Sequence, residues 1–216
     1  MKIIVTAGPT IERIDPVRFI TNRSTGYMGY SIAEGASRKG HKVTLISGPT
    51  KLKQPKVARF IKIETADELL RETKKSLKNS DCLIMCAAVG DFKVKKICKK
   101  KIKRKNKLIL ELIPNKDLLK ELSKNKAKKI FVGFSLETED LKNRSIKKLK
   151  DKRLDLIVAN QARKERNIFG DNKLDVLIID KKGAIERVFK KSKPHIALVL
   201  LDKIQKLWYE SKLRVA

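Results

Sequence analysis

The chain is poor in the residues that most often do chemistry by themselves. Among 216 residues there are 2 His, 1 Trp and 3 Cys. His41 and His195 stand alone, and no Ser-His-Asp or Cys-His arrangement forms around either. An odd number of cysteines argues against a disulfide framework and for a reducing cytoplasm. Cys82 and Cys86 sit among Leu, Ile and Met, so they read as small buried apolar side chains. No second Cys/His cluster completes a zinc site, and no metal ligands are assigned. Aromatic residues are 5% of the chain, too few to supply a stacking platform for single strands. No apolar run reaches the roughly 18 residues a membrane span needs. The apolar stretch in MKIIVTAGPT is too short for a signal peptide.

Acids are scarce as well: 24 Asp and Glu face 53 Lys and Arg, for a net charge of +29. Such a balance suits an anionic partner, whether nucleic acid, a membrane surface or a small anion. It also suits a lysine-rich background of the hyperthermophile kind, since 40 of the 53 are lysine. The 41% hydrophobic content supports a core and excludes a disordered basic tail as the whole chain. With no linker and no internal repeat, residues 1–216 read as a single domain.

Apolar runs alternate with amphipathic stretches. Strands are predicted at 2–6, 42–47, 60–64, 82–88, 129–134 and 154–159, and helices at 27–39, 66–79, 115–126, 139–153 and 194–213. Residues 174–180 and 184–189, around Lys182-Gly183, read as a hairpin. Asn115 is expected to open its helix, and Gly40 to close the helix before it. The βαβ alternation predicts an α/β, Rossmann-like doubly wound sheet with helices on both faces.

In such a sheet, ligands bind beyond the carboxyl ends of the strands. The GxGxxG fingerprint is missing after the first strand. A long loop runs instead from Gly8 to Ser24-Thr25-Gly26, with Gly26 and Gly29 allowing close approach to an anion, and Ser24 and Thr25 able to cap the next helix. Inside it, Arg18 and Arg23 could fork onto phosphate or carboxylate, or the loop could be stitched by its own Asp15–Arg pairs. Asn22 offers both a donor and an acceptor. The strand at 82–88 ends in small residues, with Asp91 at the ligand edge. Residues 93–107 hold ten basic residues and no acid. Such a run is mobile unless an anion neutralises it, and serves as a lid over a triphosphate or as a nucleic-acid patch. Lys148 and Lys152 share a helix face and can grip phosphates or simply be solvated.

Together these motifs resemble the phosphopantothenate–cysteine ligase family of coenzyme A biosynthesis, from Ile3 to about Ile204. VTAGPTIERIDPVRFITNRSTGYMG is similar to the family opening with its ITNRSSGKMG core. CAAVGDFKV resembles its AAVADY stretch, KIKR its KIKK lysine, VGFSLET its VGFAAET, and KLKDKRLDLIVAN its lysine pair with D-hydrophobic-hydrophobic-AN. The resemblance implies a two-step ligase, usually dimeric, that uses CTP (or ATP) with Mg²⁺, 4′-phosphopantothenate and L-cysteine. It implies Asn22 and Lys101 as catalytic, Lys101 riding on a flap over the site. Arg18 and Arg23, the possible anion forks of the loop, join Asn22 as the expected substrate-binding residues. The loop residues Gly8, Ser24 and Gly26 are expected nucleotide contacts, and the resemblance adds Met85, Cys86, Ala87, Asp91, Lys116, Asp117, Leu118, Leu119, Phe134, Lys148 and Lys152. The flap and the 174–189 hairpin are the expected dimer contacts.

Many relatives carry this domain behind a flavin-dependent decarboxylase, so a decarboxylase is the expected pathway neighbour. Neither nucleic acid nor membrane is an expected partner. The sequence departs from the family at Thr25, Gly90, Phe92, Lys116, Ser135 and Leu136, and none of these removes a reacting group. A basic nucleic-acid-binding module and an NAD(P)-dependent oxidoreductase are the alternatives. The missing GxGxxG weighs against the second.

Overall fold

The computed structural model describes residues 1–104, 106–162 and 173–213. Lys105 of the basic run therefore lies outside the described residues, as do 163–172 and 214–216 of the expected domain. The elements are β1 (Lys2–Ala7), β2 (Ile11–Arg13), β3 (Phe19–Thr21), α1 (Tyr27–Arg38), β4 (Lys42–Ser47) and β5 (Arg59–Lys62). Then come α2 (Ala66–Leu77), β6 (Cys82–Met85), β7 (Phe92–Val94), β8 (Leu112–Pro114), α3 (Leu118–Ser123) and β9 (Ile130–Glu137). The chain ends with α4 (Leu141–Asp151), β10 (Leu156–Gln161), β11 (Leu174–Asp180), β12 (Ile185–Lys191) and α5 (Lys193–Leu213).

The large sheet has the order β5-β4-β1-β6-β9-β10-β11-β12. From β5 to β10 every pairing is parallel, and β11 and β12 extend the sheet antiparallel. The chain winds outward from β1 through β4 to β5. It then returns to β6 on the other side of β1 and winds outward again. The strand order reverses between β1 and β6, which makes that seam the switch point where open α/β sheets bind ligands. This is the doubly wound sheet the sequence predicts.

Both faces are covered, so the inner strands are apolar on both sides. Ile3, Val5, Cys82 and Ile84 pack against α1 and α5, with Ile32, Ala36, Ile196 and Leu200. Ile4, Leu83 and Met85 face the other way, against Leu69 of α2, Leu122 of α3 and Leu149 of α4. Each large aliphatic side chain buried here contributes about 1.5–3 kcal/mol of transfer free energy. The predicted hairpin turn is present: Asp180 accepts N–H bonds from Lys182 and Ala184, and Gly183 takes φ 89°.

Two differences from the expected boundaries shape the site, and two short ribbons add to the expected elements. The strand predicted at 82–88 stops at Met85, because Cys86 and Ala87 turn their N–H groups to the Thr6 hydroxyl, both at 3.1 Å. The helix predicted from Asn115 begins at Leu118. Asn115 is held by Gly90 and Asp91 carbonyls instead, and Asp117 is the cap, accepting the Lys120 N–H. The loop from Gly8 to Gly26 contains a small antiparallel ribbon of β2 and β3. A second ribbon, β7 with β8, carries the basic run as its connecting arm.

Candidate functional site

Loops following β1 and β6 meet at the switch point and are sewn together. Gly8 accepts the Ala88 N–H at 2.9 Å, and Thr10 donates its own N–H to the Ala88 carbonyl at 3.1 Å. The Thr10 hydroxyl accepts from Gly90 at 3.0 Å. Thr6 and Thr10 thus shape the loop from Cys86 to Gly90. A hydroxyl near the end of a fully buried strand must find partners, a signal that would have flagged Thr6 from sequence.

The loop also comes close to α1. Gly26 precedes it in the left-handed conformation at φ 80°, and a Cβ there would lie 2.8 Å from Thr50 Cγ2. Gly29 packs on the backbone of β1, where a Cβ would come 2.6 Å from Ala7 Cβ. The helix entrance differs from the expected hydroxyl cap. Gly26 is the cap residue, and the Ser24 and Thr25 hydroxyls accept the N–H groups of Gly26 and Tyr27.

A cleft opens at this seam in two connected lobes. The first, about 220 Å³, is walled by Met85, Leu118, Leu119, Lys116 and Asp117. The second, about 380 Å³, is walled by Ser24, Gly26, Cys86, Lys148, Asn160 and Lys193. Ala87, Asp91, Phe134 and Lys152 line both. Gly8 does not line either lobe. It lies beneath the loop, with φ 73° and a would-be Cβ 2.9 Å from Thr50 Cγ2.

Charge in the cleft is arranged rather than diffuse. Lys148 Nζ lies 2.6 Å from Glu137, which is 7% exposed and also accepts the Ser135 hydroxyl. Burial acts to raise the Glu137 pKa, but these hydrogen bonds prevail and hold it below its ordinary value. Lys152 Nζ lies 3.1 Å from Asp117 Oδ2, while Asp117 Oδ1 caps α3. The lysine pair expected on one helix face is therefore fixed at the cleft edge by two carboxylates. Burial pushes the Cys86 thiol up to about 12, against the opposing charge of Lys193. That thiol is neutral at pH 7 and serves as wall.

Asn22 stands at the rim. Its Nδ2 donates to the carbonyls of Ala88 and Val89 at 3.1 and 3.0 Å, leaving Oδ1 as its acceptor. Arg23 beside it is exposed. Arg18 and Lys101 are elsewhere: with Ile102, Lys103 and Arg104 they line a separate cavity of about 510 Å³. Arg18 pairs with Asp15 at 3.0 Å and donates to the Ile102 carbonyl, so the loop is stitched by its own Asp15–Arg pair. The sequence reading missed Lys193, Leu174 and Val176 in the second lobe. The first opens a helix, where a lysine reads as solvated, and the other two lie on a hairpin remote in sequence.

Among the described residues, no three His, Cys, Asp or Glu side chains gather as a metal site, and no helix is long and apolar enough to cross a membrane.

Comparison with known proteins gives a consistent picture. The family model of the DNA/pantothenate metabolism flavoprotein C-terminal domain matches residues 1–207. Coenzyme A biosynthesis bifunctional protein CoaBC of Bacillus subtilis (strain 168) is 42% identical over 207 residues, covering 95% of this chain and 51% of that protein. A cysteine/cysteine sulfinic acid decarboxylase of an unknown prokaryotic organism is 38% identical over 206 residues, covering 94% of this chain and 57% of that protein. The chain thus spans about half the length of the curated relatives it matches. The crystal structure of a CoaBC C-terminal domain superposes with TM-score 0.84 at 34% identity, covering 97% of this chain and 96% of that one.

Proposed function

The chain belongs to the family of the DNA/pantothenate metabolism flavoprotein C-terminal domain, and from that premise we propose that it joins 4′-phosphopantothenate to L-cysteine in coenzyme A biosynthesis. What supports this most is the two-lobed cleft. It draws Met85, Ala87, Asp91, Leu118, Phe134 and Lys152 from separate elements to the sheet's switch point. Those are residues the family resemblance assigns to a nucleotide.

In the first step a carboxylate oxygen of phosphopantothenate attacks the α-phosphorus of CTP, with ATP as the second candidate. An O–P bond forms, the bond to the β-phosphate breaks, and pyrophosphate leaves. In the second step the cysteine amine attacks the acyl carbon. A C–N bond forms, CMP leaves, and the amine proton passes to solvent. The mixed anhydride turns a poor acyl donor into a good one. Positioning and fixed cations do the rest.

The nucleoside occupies the first lobe, against Met85, Ala87 and Phe134. Its phosphates extend into the second, toward Lys148 and Lys152. Gly8, beneath the loop, fixes its path. Asn22 Oδ1 at the rim meets the acyl-nucleotide. Closure of the flap carries Lys101 to the α-phosphate, with Arg18 and Arg23 toward the acid. Mg²⁺ enters as the nucleotide's own counter-ion, held by phosphate oxygens and water.

Residues 1–216 act as one ligase domain, in the cytoplasm, as a homodimer. The exposed Ile109 and Leu112 of the flap arm and Phe189 of β12 offer apolar surface for that contact. A decarboxylase, fused or separate, is the pathway neighbour. Pyrophosphate release, measured with phosphopantothenate and each of four nucleoside triphosphates, tests the proposal. CTP is expected to give about one equivalent per site without cysteine and sustained turnover with it. No release with any nucleotide would refute it.

A further inference from the structure

At the edge of the sheet opposite the cleft, where β6, β9 and β10 begin, lies a larger cavity of about 880 Å³. That is room for a nucleotide-sized ligand. Six lysines wall it, Lys126, Lys128, Lys129, Lys181, Lys182 and Lys212, against three carboxylates, Asp81, Asp155 and Glu210, a balance of +3. Two of the lysines are fixed in place. Asp155 is 5% exposed and takes Lys126 Nζ at 2.7 Å on one oxygen and Lys181 Nζ at 2.8 Å on the other. One carboxylate thus serves two ammonium groups, whereas in the cleft Lys148 and Lys152 have a carboxylate each. An ammonium carries three N–H groups. Lys126 is spent on Asp155, the Arg153 carbonyl and the face of Phe131. Lys181 gives one N–H to Asp155 and keeps two. Among the described residues, no carboxylate pairs with Lys128, Lys129 or Lys182. Leu207 and the half-buried Trp208 make an apolar side to the same cavity, with Lys212 Nζ 5.6 Å from the indole centre. Unbalanced ammonium groups beside a flat apolar wall favour a phosphorylated ligand.

We infer that this cavity is a second anion site and takes a diphosphate group, carried by a nucleoside or free as pyrophosphate. Lys181, with Lys128, Lys129 and Lys182, receives the phosphoryl oxygens, and Trp208 offers its wall to a nucleoside. A terminal phosphate carries about −1.5 to −2 at pH 7, and the inner one adds a further charge. A diphosphate therefore balances the walls, and a lone phosphate does not. None of these residues lines the cleft, so the inference is independent of the ligase reading.

Trp208 is the only tryptophan, so its fluorescence reads this cavity. Titration of the full chain with ADP and with inorganic pyrophosphate is expected to give a saturable change with a Kd of about 1 mM or below, and adenosine none. Binding of ADP at least about tenfold tighter than pyrophosphate assigns the Trp208 wall to the nucleoside, and equal affinity assigns the site to the diphosphate alone. In the double variant Lys128→Gln/Lys182→Gln, at two exposed positions, the Kd should rise about tenfold or more. No saturable change with either probe overturns the inference, and so does a Kd that the double variant leaves within twofold of the parent. A short single-stranded DNA that displaces ADP with a tenfold lower Kd also overturns it, in favour of a nucleic-acid surface. If the parent releases pyrophosphate with no nucleotide, the proposed ligase activity fails, while the fluorescence titration still decides this site.

Discussion

The carboxylate of Asp15 accepts the backbone N–H of Ile102 at 3.1 Å, joining two segments 87 residues apart. Arg18 completes the clamp by pairing with Asp15 and donating to the carbonyl of the same residue. Both backbone groups of Ile102 are thus held by the loop between β1 and α1. Lys101 is its neighbour, so the clamp also fixes the backbone beside Lys101.

Asp15→Asn keeps the shape and removes the charge that attracts these donors. Hydrogen bonds to a charged group are worth about 1.5–3 kcal/mol, so the Ile102 amide should exchange with deuterium roughly tenfold faster or more. Unchanged exchange would show that the flap is held by something else. Acid should act in the same direction. Burial opposes the charge on Asp15, but N–H bonds from Val17, Ile102 and Arg18 prevail, and its pKa lies below the ordinary value. The clamp is then at full strength above the ordinary carboxylate range and is lost as pH falls through the lowered value.

Glu137→Gln should destabilise the fold by about 1–3 kcal/mol, because Lys148 and the Ser135 hydroxyl lose a charged acceptor in a buried place. The Glu137 pKa is lowered by the fold, so its contribution is present above the carboxylate's unfolded value and disappears as pH falls through the folded one. Urea midpoints at pH 7 and pH 3 check this. The gap between parent and variant should be large at pH 7 and should shrink at pH 3.

Gly29→Ala tests the contact between α1 and β1. The added methyl would meet Ala7 Cβ at 2.6 Å and the Thr6 carbonyl oxygen at 3.0 Å. Since backbone must move, a loss of about 1–3 kcal/mol is expected. Weaker nucleotide binding should accompany it, because the same helix end lines the second lobe. A variant as stable as the parent would show that α1 has room to shift.

Asn22→Asp sets a carboxylate oxygen against the Ala88 and Val89 carbonyls that Nδ2 now serves. Pyrophosphate release should persist, while amide formation slows by tenfold or more, and quenched-flow analysis should find acyl-nucleotide accumulating. Lys101→Gln should slow pyrophosphate release itself by tenfold or more. If both variants make product at the parent rate, neither residue has the role proposed for it.

Most of the sheet can be read from sequence because its strands are buried on both faces, as in IIVTA and CLIM, and because helices of eleven residues or more carry enough periodicity. The strands β2, β3, β7 and β8 are three residues each, too short to show any alternation. The cleft is readable where its walls lie in contiguous motifs, such as Met85 to Asp91 or Lys148 with Lys152. It is unreadable where walls arrive from remote elements, as with Lys193 and Val176. Charge is only half readable: the sequence leaves Arg18 either as an anion fork or as the partner of Asp15, and the structure shows it paired with Asp15.

The reversal of strand order between β1 and β6 bears on how the molecule assembles. The winding β1-α1-β4-β5 forms from neighbouring segments of chain, and so does the one that starts at β6. The walls of the first lobe all come from the second winding, but the second lobe needs both, and it exists only once the two have docked along the β1–β6 ladder and the threonines of one have closed on the loop of the other. Binding across both lobes would therefore be a property of the completed molecule. Half-folded chains lack the second lobe, and a ligand that spans both lobes, at a hundred times its Kd, would add about 2.7 kcal/mol to the completed form. Ligand acts here as the final fastener of the two halves.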